Sequence, residues 1–166
     1  LLSQFVYQPV ISKMALLWHE KKISQFNKLI LRQIALILLL SVAAIIGGYL
    51  LGIPVLSLIY GVDLTDYKKA LVILLIGGGA LAIVNFLQMI ITVARKQKLL
   101  NIGYLLAFLL FVFGGKTITE KHGMIGISVF YTAVVMVLGA VFIVLTIGII
   151  KGYAYSDGKT VAEKKQ

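Results

Sequence analysis

Cysteine is absent from the 166 residues, and charge is scarce. Without a thiol the chain can form no disulfide, no thiolate metal site and no cysteine nucleophile. Charged residues make up 13% of the sequence, against roughly 25% in soluble domains. They are also segregated: residues 33–62, 70–94, 99–115 and 123–150 contain no Asp, Glu, Lys or Arg. A carboxylate-based proton or sodium site is therefore not visible within these runs. Neither is a nucleophile–base pair, a metal-ligand cluster or a phosphate-binding loop. Enzymatic chemistry and a cofactor are not expected. His19 stands alone beside Glu20 in a basic stretch, where a solvated side chain is the expectation.

What is present is apolar. Hydrophobic residues form 60% of the chain, and the mean hydropathy is +1.02. A membrane-crossing helix needs about 20 apolar residues, so four charge-free runs of this length predict an all-α, polytopic membrane bundle. Residues 1–12 (LLSQFVYQPVIS) are apolar and uncharged but lack the basic start and cleavage site of a signal peptide. They are read as the end of a fifth transmembrane helix, which makes the chain part of a larger protein. The alternative is a small four-helix protein with a short hydrophobic leader.

The predicted organisation follows. Residues 13–32 form a cytoplasmic amphipathic linker mixing Met14, Leu17, Trp18, Ile23 and Phe26 with basic residues. A four-helix transmembrane bundle covers 33–150, with spans at about 33–52, 69–94, 99–117 and 123–150. Residues 151–166 form a basic tail. Pro54, preceded by Gly52, is the expected break in the first long run, which at about 1.5 Å per residue is too long for a ~30 Å hydrocarbon core. The net charge of +10 is unevenly placed. Twelve of the 16 basic residues fall in the linker, the connection at 95–98 and the tail, and four in the two intervening loops. Basic excess marks the cytoplasmic side, so the tail is predicted to be cytoplasmic. This distribution, together with contact to anionic membrane lipids, accounts for the charge without a nucleic-acid partner.

Two features within the spans carry functional expectation. The first is the stretch NFLQMIITVARKQK, from Asn85 to Lys98. At 100° per residue Asn85, Gln88, Thr92 and Arg95 fall within roughly 80° of arc. Polar groups in a bilayer face protein or a water-filled cavity. The stripe therefore either joins helices through hydrogen bonds or lines a transport path. The second is Gly77-Gly78-Gly79, three residues that each lower helix propensity by roughly 1 kcal/mol relative to Ala. They are read as a close helix crossing or as a hinge.

The series YQPVISKMALLW, a basic linker, IPVLSLIYGVDLTDYKKALVILLIGG and then NFLQMIITVARKQK resembles the C-terminal half of Wzx-type oligosaccharide flippases. These belong to the multidrug/oligosaccharidyl-lipid/polysaccharide superfamily. The likeness covers roughly residues 4–100, and the last two helices match only in hydropathy and spacing. It implies a two-lobe transporter with a central cavity, of which the missing N-terminal lobe would supply the other half. It also implies a lipid-linked oligosaccharide substrate, with Arg32 and Arg95 holding its anionic headgroup. A lipid II flippase, a cation-coupled drug exporter of the same superfamily, and a non-transporting assembly or anchoring protein are the alternatives.

Overall fold

The computed structural model describes residues 2–20 and 22–163, with side chains over 10–20, 22–116, 118 and 123–152. It is helical throughout, with no strand among the described residues. The order is α1 (Leu2–His19), α2 (Ile23–Gly47), a π-turn (Gly48–Gly52), α3 (Ile53–Tyr60), a 3-10 turn (Thr65–Tyr67) and α4 (Lys68–Val93). The final segment, Lys98–Glu163, is helical except at Gly123, whose φ of 57° and ψ of −143° fold it back on itself. The two limbs are named α5 (98–122) and α6 (124–163). Only a residue without a Cβ adopts that backbone conformation readily.

Four stretches are long and apolar enough to cross a membrane: Ile23–Tyr60, Thr65–Val93, Lys98–Lys116 and Gly123–Gly152. Each overlaps one of the charge-free runs. In a bilayer each backbone N–H and C=O has to be bonded within its own helix, and only the charge-free segments can be immersed.

The first span differs from the expected break at Pro54. Its helix runs on through Tyr60, and the π-turn at Gly48–Gly52 stands just before the proline. In a regular α-helix the Pro54 ring would strike the carbonyl of Leu50, and its nitrogen has no hydrogen to donate. Widening the preceding turn accommodates both without ending the helix. The chain leaves α3 at Gly61 and crosses to α4 by a short turn in which Ser57 Oγ accepts the Leu64 N–H at 3.1 Å. Asp63 in that turn accepts from the Thr65 hydroxyl at 2.5 Å and the Thr65 N–H at 3.0 Å. These two bonds, the hydroxyl first, hold its carboxyl below the ordinary carboxylate range.

Residues 13–32, expected as an amphipathic linker, are helical on both sides of a corner. Residues 13–19 continue α1, and 23–32 are the first turns of α2. Met14, Leu17, Phe26 and Ile30 are buried, joining a cluster with Phe86, Leu87, Ile90 and Ile91 of α4. The rings of Trp18 and Phe26 meet at 5.3 Å across the corner. The apolar residues pack on protein because α4 presents an apolar surface to them at that end. Residues 164–166 of the expected tail lie outside the described residues.

Helix α4 is central. It is antiparallel to α2: a Cβ on Gly48 would run into Leu75, one on Gly52 would sit 2.7 Å from Leu71, and one on Gly79 would sit 2.9 Å from Ser41. It is parallel to α6, where Gly77 meets Thr132 and Val84 meets Gly139. Between α4 and α6 the Thr132 hydroxyl lies 3.0 Å from the Ile73 carbonyl and 2.9 Å from that of Ser128. α5 and α6 form an antiparallel hairpin held by Phe111 on Phe130 and Tyr104 on Phe142, both edge-to-face.

Candidate functional site: a polar open face on α4

Packing on three sides leaves α4 one open sector. Ala70, Gly77, Val84, Phe86, Leu87, Ile90 and Ile91 are buried. Leu74, Gly78, Asn85 and Thr92 are exposed, with Leu81 and Gln88 half-buried between them. These six recur at alternating spacings of four and three, which places them on one stripe of a helix. The half of the stripe nearer the start of α4 is apolar and the half nearer the α4–α5 turn is polar.

The polar half is joined to α5. Tyr104 donates its hydroxyl hydrogen to Gln88 Oε1 at 2.7 Å. Gln88 and Tyr104 stand at equal sequence distance from Lys96, in the turn, so the antiparallel register brings them level. That equality is the signal in the sequence that could have paired them. Thr92 donates to the Gln88 backbone carbonyl at 2.9 Å within its own helix. Asn85 is exposed and has no hydrogen-bond partner among the described residues. One polar side chain of the stripe is thus tied to a neighbouring helix, one is tied to its own, and one is open.

The two arginines do not converge. Arg95 occupies the turn, with φ of +57°. Its N–H bonds the Thr92 carbonyl and the Lys96 N–H bonds the Ile91 carbonyl, at 3.0 and 3.1 Å. This is a Schellman cap, in which the left-handed residue is usually glycine. Arg32 is exposed on α2. At 100° per residue it lies about 140° from the mean direction of Phe26, Ile30 and Ile37, the buried residues of that helix. It therefore faces away from α4 and its stripe.

Arg95→Gly is expected to relieve the left-handed backbone and stabilise the bundle by about 1 kcal/mol. Unfolding midpoints in detergent measure this. A lowered midpoint would show that the side chain holds the turn more strongly than its backbone strains it.

The glycine triplet divides by direction. Gly77 is buried against α6, where a Cβ would sit 2.7 Å from Thr132 Oγ1 and 3.0 Å from the Tyr131 ring. Gly79 abuts Ser41 of α2. Gly78 meets nothing within 4 Å and lies in the open sector. The helix is unbroken through all three.

At the other end of the bundle, Tyr49, Thr65, Asp66, Lys68 and Lys69 line a cavity of about 760 Å³. The Lys68 ammonium sits 3.9 Å over the Tyr49 ring. Among the described residues no three His, Cys, Asp or Glu side chains gather as metal ligands. No known protein family, curated protein or solved structure matches the chain.

Proposed function

We propose that this chain is one lobe of a transmembrane transporter that flips a lipid-linked oligosaccharide, or exports a polysaccharide precursor, by alternating access. In this reading the α4–α5 turn faces the cytoplasm of a plasma-membrane protein, and the open stripe of α4 lines the path beside a second lobe. Arg95 stands at the loading end of that path. The observation that supports it is the placement of Asn85: an unbonded carboxamide, open to the surroundings, within a membrane-crossing helix and continuous with Gln88 and Thr92. Left in hydrocarbon, such a group costs several kcal/mol on the order of any unpaired amide. A water-filled path removes that cost. A second reading, an assembly or anchoring protein, draws on the Gln88–Tyr104 bond, which is the kind of link that holds helices together.

The absence of cysteine makes the natural sequence a clean background for accessibility labelling. Asn85→Cys and Thr92→Cys are expected to react rapidly with a membrane-impermeant thiol reagent in the complete protein. Leu39→Cys, on an exposed apolar face of α2, is expected to be protected, since a thiol in lipid does not ionise. Protection of Asn85→Cys and Thr92→Cys to the same degree would sink the transport reading of this face.

A further inference from the structure

The basic end of the bundle contains a second feature, which shares Arg95 with the end of the stripe but not Asn85, Gln88 or Thr92. A cavity of about 1170 Å³ opens between the α4–α5 turn, α6 and the end of α1. Arg95, Lys96, Gln97 and Lys98 line one side of it. Val144, Leu145, Gly148 and Ile149 of α6 line the other, and Trp18 closes one edge. Among the described residues no Asp or Glu lines it, and the Glu20 carboxylate is held by Lys22 at 2.8 Å.

We propose that this cavity binds the phosphate headgroup of an anionic phospholipid, with an acyl chain lying along the aliphatic face of α6. Arg95, Lys96 and Lys98, three cations without a carboxylate partner among the described residues, attract an anion. The N-terminus of α5 adds to that attraction. The N–H groups of Leu99 and Leu100 are bonded to the carbonyls of Lys96 and Gln97. Those of Gln97 and Lys98 have no acceptor among the described residues. The positive end of the helix dipole therefore points at the turn.

The opposing wall selects the source of the phosphate. A soluble phosphate would gain nothing from valine, leucine and isoleucine. A lipid joins an anionic head to a hydrocarbon chain, matching a basic rim set against an aliphatic helix at the end of the membrane spans. The indole of Trp18 sits at the level where tryptophan commonly meets headgroups. Gly148 keeps the wall low: a Cβ there would meet nothing within 4 Å. This site needs only a membrane-embedded chain and does not depend on the transport reading.

The test is native mass spectrometry of the full chain released from nanodiscs containing equal phosphatidylglycerol and phosphatidylcholine with matched acyl chains. Wild type is expected to retain phosphatidylglycerol preferentially. At roughly a fivefold preference per surface cation, K96Q/K98Q is expected to cut that preference about 25-fold. G148F adds a ring at a position where a Cβ meets nothing within 4 Å, and is expected to abolish retention while leaving the unfolding midpoint unchanged or raised. Asn85→Leu/Gln88→Leu, in the stripe, is expected to leave retention intact. Equal retention of both lipids by wild type overturns the proposal, as does persistence of the preference in both K96Q/K98Q and G148F. Displacement of the lipid by millimolar inorganic phosphate would show a phosphate site rather than a lipid site. Loss of retention in the stripe variant would show that the cavity is not a separate site.

Discussion

Gly77→Ala is expected to destabilise the bundle by about 2 kcal/mol, while Gly78→Ala, one residue further on, is expected to stabilise it by up to about 1 kcal/mol. The two substitutions add the same methyl group to the same helix. At Gly77 the methyl meets Thr132 Oγ1 at 2.7 Å and the Tyr131 ring at 3.0 Å. The Thr132 hydroxyl is itself held, because it lies between the carbonyls of Ile73 and Ser128. Relief requires α4 and α6 to separate, which weakens the contacts that make α4 the centre of the bundle. At Gly78 the methyl enters open space, and only the gain in helix propensity is left. Unfolding midpoints of the two variants in one detergent measure the contrast. Equal effects would mean that α4 is not held against α6 at Gly77. Impairment of the proposed transport by a stable Gly78→Ala would argue that the open sector must stay clear, or must bend, to work.

Under the proposed function, replacing Asn85 and Gln88 together by Leu is expected to lower polysaccharide export by the complete protein more than tenfold, with its membrane level unchanged. The two effects separate because of their magnitudes. Hydrogen bonds between membrane helices contribute about 0.6 kcal/mol on average, so losing the Gln88–Tyr104 bond costs the fold little. A double-mutant cycle of Gln88→Leu and Tyr104→Phe should return a coupling of about that size. The proposed export would depend on something else, a continuous wet surface, which two leucines would close to a sugar chain. Export at the wild-type rate would leave the stripe as a packing face. A fall in export matched by a fall in protein level would point the same way.

The four spans, the helical class and the polar stripe are legible in the amino-acid sequence. They are local properties, fixed by runs of uncharged residues and by a period of 3.6. The same holds for the grouping of Asn85, Gln88 and Thr92, which needs only one helix. Asn85 to Thr92 is two turns, and no partner has to be known to place these residues on one side.

Other features depend on what lies across from them. The expected break at Pro54 is instead preceded by a π-turn, whose glycines at both ends, Gly48 and Gly52, pack closely on Leu75 and Leu71 of α4. Met14 and Phe26 belong to the core rather than to a surface linker because α4 offers them Ile90 and Ile91. Gly77, Gly78 and Gly79 are identical in sequence, and only the positions of α6 and α2 distinguish a contact from open space. Arg95 reads as charge in the sequence, whereas in the fold it is also the left-handed residue of a cap.

The sequence by itself determined that this chain is a set of membrane-grade helices with one polar face near a basic end. Hydropathy and helical period depend only on near neighbours along the chain. The tertiary structure alone decided that Gln88 meets Tyr104, that Arg32 turns away from the stripe, and that a basic cavity forms beside Gly148. Those outcomes depend on the register between helices, which is set by side chains tens of residues apart meeting at a common depth.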